Sequence, residues 1–145
     1  MIYSKFPYIR MRRKRQNFQI REIIAETNIS IKNLIQPIFI IEGKNTIEKI
    51  ESMPEINKLS IDLAIEEISI LKDLGIKNII LFPCITKEKK TNCAKNAYEY
   101  GLIQDSIYKI KNKHPDIIII SDIALDPYTI HGHDGIINNN NDNVL

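Results

Sequence analysis

Four consecutive isoleucines, Ile117 to Ile120, open into a stretch that turns abruptly polar: Asp122, Asp126, Tyr128, Thr129, His131, His133 and Asp134 all fall within thirteen positions. This junction constrains the fold more than any other part of the chain. A short continuous apolar run predicts a strand buried on both faces, as in a parallel sheet covered by helices. Pro127, Gly132 and Gly135 break the polar stretch into a loop. A rigid strand fixes the root of such a loop, so carboxylates and imidazoles gathered there are placed for chemistry.

The rest of the chain shows what such a strand would sit beside. Phe18, Ile20, Ile23 and Ile24 predict a short helix ending near Asn28, and Ser30 is placed to start another turn through Leu34. Residues 37–41, Pro-Ile-Phe-Ile-Ile, read as a first strand closed by Glu42-Gly43. Residues 44–59, with Met53-Pro54 and scattered charge, read as an excursion outside the core. Ser60 is an apt N-cap, and Asp62 suits the positive end of the helix dipole. Ile61, Ile65, Ile68 and Leu71 then recur at spacings of four and three, and Gly75 stands where helices stop. Residues 77–82 predict a second buried strand, 84–93 a lysine-rich solvated loop, and Tyr98 to Lys113 a helix with Ile103, Ile107 and Ile110 on one face.

Strand, helix, strand, helix, strand implies an α/β fold with right-handed crossovers and a parallel sheet. It fits the first three units of a (β/α)₈ barrel or half of a doubly wound sheet. A barrel takes ~250 residues, and three strands alone would leave open edges. After the polar tract 138–143, Val144-Leu145 begins an apolar pattern. The expectation is therefore a portion of a larger fold, incomplete at its C-terminus.

Charge divides the chain in two. Residues 1–21 hold seven Lys/Arg and no acid, which leaves thirteen basic against eighteen acidic residues, a net of −5, for the remainder. A basic arm ahead of an acidic body suits nucleic acid, a transit peptide or the acidic surface of a neighbouring subunit. The arm is polar and irregular, and no helix is expected in its first ~16 residues. No apolar run approaches the ~20 residues that span a bilayer, and the basic N-terminus lacks a signal peptide's apolar region. Two cysteines, Cys84 and Cys93, form neither a disulfide framework nor a zinc knuckle, as expected of a cytoplasmic protein.

The segment Ser121-Asp-Ile-Ala-Leu-Asp-Pro-Tyr-Thr-Ile-His-Gly-His-Asp-Gly135 resembles the metal loop of the porphobilinogen synthase (δ-aminolevulinic acid dehydratase) family. The likeness continues through Arg10-Met-Arg-Arg-Lys-Arg15, Arg21-Glu22, Asn33-Leu-Ile-Gln-Pro-Ile-Phe39, Glu42-Gly43, Ser52-Met-Pro54, Leu81-Phe-Pro83 and Gly101-Leu-Ile-Gln104. The resemblance implies a basic arm over residues 1–17 and, over 18–145, the first three β/α units of a TIM barrel. It implies condensation of two δ-aminolevulinate molecules to porphobilinogen for haem and other tetrapyrroles, in a homo-octamer held partly by the arm. The two lysines that form Schiff bases in that family lie beyond this chain's last motif, so no lysine here inherits their role and the chain alone is expected to be inactive.

Zinc-using members of the family carry three cysteines in this loop, and the matching positions here are Ala124, Asp126 and Asp134. Thiolates favour zinc, whereas carboxylates favour hard cations. Zinc is therefore not expected, and Asp126 and Asp134 would hold Mg²⁺ or a monovalent cation, or meet the substrate amine directly. Condensation needs an electrophilic iminium and a proton removed beside it. Asp126, Asp134 and His133 are the candidates to stabilise that charge or move protons, with Tyr128 as a wall of the substrate site and Asp122 as a support. Two other classes compete. A metal-dependent hydrolase could use His131, His133 and Asp134 at a strand end, but the remaining motifs argue against it. An RNA-binding module could use the arm, but the chain has no helix-turn-helix pattern and only 7% aromatic residues for stacking. No nucleic-acid or membrane partner is expected.

Overall fold

The computed structural model describes residues 6–7, 9–98 and 101–137. Val144-Leu145 and the polar tract 138–143 lie outside them. The chain divides into two compact units, Met1–Ser30 and Ile31–Leu145.

In the first unit, a 3-10 turn spans Arg12–Arg15 and helix α1 spans Phe18–Ile23. The turn corrects the expectation that the arm has no helical structure. Asn17 caps α1 in extended conformation, its Oδ1 accepting the Ile20 N–H at 2.9 Å. The helix stops five residues before Asn28. None of its residues is buried, so no packed face offsets the modest helix propensity of its isoleucines. The Arg10 guanidinium lies 5.6 Å over the Phe6 ring.

The second unit holds a 3-10 turn at Ile31–Asn33, where Ser30 is expected to start one, and then a mixed five-stranded sheet. The strands are β1 Gln36–Ile41, β2 Ile47–Lys49, β3 Asn57–Ser60, β4 Asn78–Pro83 and β5 Ile118–Ser121. Their order is β2-β3-β1-β4-β5, parallel throughout except for the β2–β3 pair. Helices α2 Ile61–Asp73, α3 Lys95–Tyr98 and α4 Leu102–Lys113 connect them. The core lies between the sheet and α2 and α4, with Ile38, Ile40, Ile68, Ile79, Leu81, Ile110 and Ile117 at its centre. His114, also buried, ties the end of α4 to α2: its Nε2 lies 3.1 Å from the Ile65 carbonyl and 3.3 Å from Ser69 Oγ.

Four expectations need correction. The excursion 44–59 contains β2 and all of β3 but its last residue, and β3 runs parallel to β1 with Phe39 opposite Lys58. Its own sequence lacks a strand period; pairing with the β1 edge supplies the order. Ser60 stands at the N-cap of α2, but its Oγ accepts the Thr46 N–H at 3.0 Å and does not cap the helix. Asp62 likewise accepts the Asn45 N–H at 2.8 Å. Its carboxyl is held below the usual range by the Ser60 hydroxyl first and by that amide second. The helix expected over 98–113 is α4, which starts only at Leu102, after Gly101 in extended conformation (ψ 176°); Tyr98 belongs to the separate short helix α3. Finally, β5 is not buried on both faces. Ile117, just before it, is fully buried and Ile119 packs on the core, but Ile118 and Ile120 are 59% and 39% exposed. They share a sheet face with Phe39 and Phe82, whose rings stack at 5.4 Å. The helices cover only the opposite face.

The remaining features match their signals. Ala64, Ile68 and Leu71 are the buried residues of α2, with Ile61 and Ile65 packed beside them. At Gly75 (φ +89°) the helix ends with Gly75 N–H donating to the Lys72 carbonyl and Ile76 N–H to that of Leu71. A residue with a side chain would be strained there.

Candidate functional site

The loop after β5 is built on its own strand and on one neighbour. Asp122 N–H donates to the Leu81 carbonyl and so extends the ladder to β4, while its Oδ1 accepts the Ala124 N–H at 3.1 Å. This is the supporting role expected of Asp122. Pro127 sits in a 3-10 turn, Asp126–Tyr128, which carries the chain back across the sheet end. Tyr128 is buried, and burial first, then the Asp122 carboxylate, pushes its hydroxyl above the usual range. It is therefore a neutral donor at physiological pH.

The loop's far end folds back onto its near end. Asp134 Oδ1 accepts two backbone N–H groups, from Leu125 at 2.5 Å and Asp126 at 2.9 Å. Thr129, only 1% exposed, places Oγ1 3.1 Å from both the Asp126 and His133 carbonyls. The Asp126 carboxylate is partly exposed and has no hydrogen-bond partner among the described residues. Asp126 is thus the acid left available, whereas Asp134 has one oxygen engaged in holding the backbone that carries it.

The two imidazoles differ as well. His131 Nδ1 accepts the His133 N–H at 3.3 Å, so its proton lies on Nε2, which donates to the Asn92 carbonyl at 3.2 Å. With both nitrogens engaged by backbone groups, His131 holds the loop together, an arrangement that does not favour the hydrolase reading. His133 is exposed, its ring 5.9 Å from that of His131.

The segment before α3 braces this loop, a part that periodicity does not reveal. Thr91 N–H donates to the Tyr128 carbonyl and Ile130 N–H to that of Thr91, forming an isolated parallel bridge. The Thr91 hydroxyl also accepts the Lys95 N–H at 2.9 Å. Ala94 is buried with φ +52°, a left-handed conformation that costs a residue with a Cβ. The lysine-rich loop 84–93 is solvated as expected at Thr86–Lys89 and again at Asn92 and Cys93, with Lys89 paired to Glu42, while Lys90 and Thr91 between them are half-buried. Thr91 and Asn92 carry no signal in the sequence alone.

Among the described residues no three His, Cys, Asp or Glu side chains come together as a metal cage. Ala124 brings no donor, and neither cysteine lies in the loop. Cys84 is half-buried, its thiol raised chiefly by burial. The donor set does not fit a thiolate zinc centre. Two clefts beside the sheet, about 400 and 580 Å³, centre on Glu42 and the start of α4 and include neither Asp126 nor Asp134.

Comparison with known proteins places this geometry. The family model for delta-aminolevulinic acid dehydratase matches residues 8–145. The delta-aminolevulinic acid dehydratase of Chlamydia pneumoniae is 44% identical over 130 residues, 88% of this chain and 39% of its own length. That of Methanothermus sociabilis is 41% identical over 136 residues, 93% of this chain and 42% of its own. The crystal structure of the Toxoplasma gondii enzyme (porphobilinogen synthase), in complex with its reaction product porphobilinogen, superposes with a TM-score of 0.89 at 33% identity. That match covers 94% of this chain and 39% of the other. The chain thus spans about two fifths of the length of these relatives, and it belongs to the delta-aminolevulinic acid dehydratase family.

Proposed function

We propose that this chain supplies the basic arm (residues 1–17) and the first three β/α units (within 18–145) of a (β/α)₈ barrel. The barrel would be that of a cytoplasmic porphobilinogen synthase, a lyase that condenses two δ-aminolevulinate molecules in haem biosynthesis. The observation that carries this reading is the family match over residues 8–145. The uncovered apolar face of Phe39, Phe82, Ile118 and Ile120 supports it, because closing a sheet into a barrel covers one face with its own strands.

In this reading the Asp126 carboxylate faces the substrate, stabilising a cationic iminium or accepting a proton beside it. His133 is the neighbouring proton carrier, Tyr128 walls the site, and Asp134 orients the loop and adds a second carboxylate. The oxygen donors of Asp126 and Asp134 suit Mg²⁺ or a monovalent cation over zinc. The test is a colorimetric porphobilinogen assay on a protein carrying this segment at the full length of its relatives. Turnover is expected, and expected to persist in a zinc-specific chelator. Absence of turnover would overturn the function, and stoichiometric zinc with activity lost on its removal would overturn the metal reading.

The arm is assigned to a neighbouring subunit of a homo-octamer. Its six positive charges precede a body with fourteen basic and eighteen acidic residues, a net of −4, so a second copy offers an opposite-sign surface. Deleting residues 1–17 from the full-length protein is expected to lower its mass in light scattering, and salt is expected to weaken assembly, since screening acts over ~8 Å at physiological ionic strength. Unchanged mass with loss of RNA retention would favour the nucleic-acid reading instead.

A further inference from the structure

We propose that Thr129 is a positioning residue, whose hydroxyl latches the two ends of the loop together and thereby sets Asp126 against Asp134. The inference rests on the proposed role of Asp126 in acting on the substrate. Thr129 is buried, and its one hydroxyl proton lies between two carbonyl oxygens, each 3.1 Å away. One belongs to Asp126 at the loop's near end and the other to His133 at its far end. Its backbone N–H also donates to the Asp126 carbonyl at 3.2 Å.

Directly after His133, Asp134 returns the link by accepting the Leu125 and Asp126 N–H groups. Ten residues, 125–134, are therefore closed by two cross-links of opposite polarity. One is a side-chain hydroxyl donating to backbone carbonyls; the other is a side-chain carboxylate accepting backbone N–H groups. The Thr91–Thr129 bridge anchors this closed loop to the segment before α3. Both cross-links depend on the same spacing, so losing the hydroxyl should release the Asp134 carboxylate from the Leu125 and Asp126 N–H groups. It would also leave the His133 carbonyl without its side-chain donor, which opposes a closed loop.

The test compares Thr129→Val, which keeps the shape and removes the hydroxyl, with Thr129→Ser, which keeps the hydroxyl. Amide hydrogen exchange on the 145-residue chain reads the latch without requiring activity. Exchange at Leu125 and Asp126 is expected to speed at least tenfold in Thr129→Val and to stay within about twofold of the parent in Thr129→Ser. Asp134→Ala should reproduce the Thr129→Val pattern. Unchanged exchange in Thr129→Val would overturn the latch, as would equal acceleration in both variants. Equal acceleration at Ile79 and Leu81 would assign Thr129 to general stability and overturn it too.

In the full-length protein, Thr129→Val is expected to lower kcat at least tenfold with KM changed less than threefold, and Thr129→Ser to restore kcat. A normal kcat beside accelerated exchange would overturn the positioning role. A parent without turnover would sink the proposed function and leave the exchange result to decide the latch.

Discussion

The purified 145-residue chain, incubated with δ-aminolevulinate, is expected to form no porphobilinogen above a heat-killed control. Condensation of two aminoketones needs a carbonyl converted to a cationic iminium, which in this family is formed on lysine. A lysine suited to that work is desolvated, so that its amine is available as a nucleophile. None of the described lysines is buried. Of those in the loop after β4, Lys89 pairs with Glu42, Lys87 is exposed and Lys90 is only half-buried. Lys111 spends its ammonium on the Pro115 and Ile117 carbonyls at the opposite end of β5. Borohydride reduction in the presence of δ-aminolevulinate should accordingly add no mass to the chain. Turnover, or a reduced adduct on any lysine of residues 1–145, would refute the assignment and point to the residue responsible.

The second large effect concerns stability. Ile68→Ala is expected to destabilise the second unit by about 2–5 kcal/mol, the range for emptying a buried aliphatic site. Ile68 is fully buried in the layer where α2 meets the sheet, with Ile40, Ile79 and Ile110 in the same cluster. Domains of this size are stable by only about 5–15 kcal/mol, so the loss would be a large share of the total. The control is Ile70→Ala, two residues along the same helix but 56% exposed; its effect should stay within about 0.5 kcal/mol. Urea unfolding reads both as a shift of midpoint at constant slope. Equal midpoints for the two variants would show that the layer between α2 and the sheet is not the core of this unit.

Local order was legible wherever one residue's chemistry suffices to cause it. The 3.6-residue period of Ile61, Ile65, Ile68 and Leu71 predicts the buried face of α2, and Gly75 predicts its end, because only glycine enters φ +89° without strain. The run before the polar loop marks a strand, and the loop's carboxylates and imidazoles do lie at its end. Partnership was not legible, because it depends on what another segment brings. The edge of β1 makes a strand of residues 57–60, and the loop at Asn45 and Thr46 takes the oxygens of Asp62 and Ser60 that local rules assign to the helix start. The same holds at the site. The sequence offers Asp126, Asp134 and His133 as candidates without ranking them, and His131 only as a ligand in the hydrolase alternative. The tertiary fold separates them, since the backbone carbonyl of Asn92 takes His131 and the Leu125 and Asp126 N–H groups take Asp134. The carboxylate of Asp126 is left toward solvent, because hydrogen-bond partners are distributed by proximity in space and a chain read residue by residue carries no record of it.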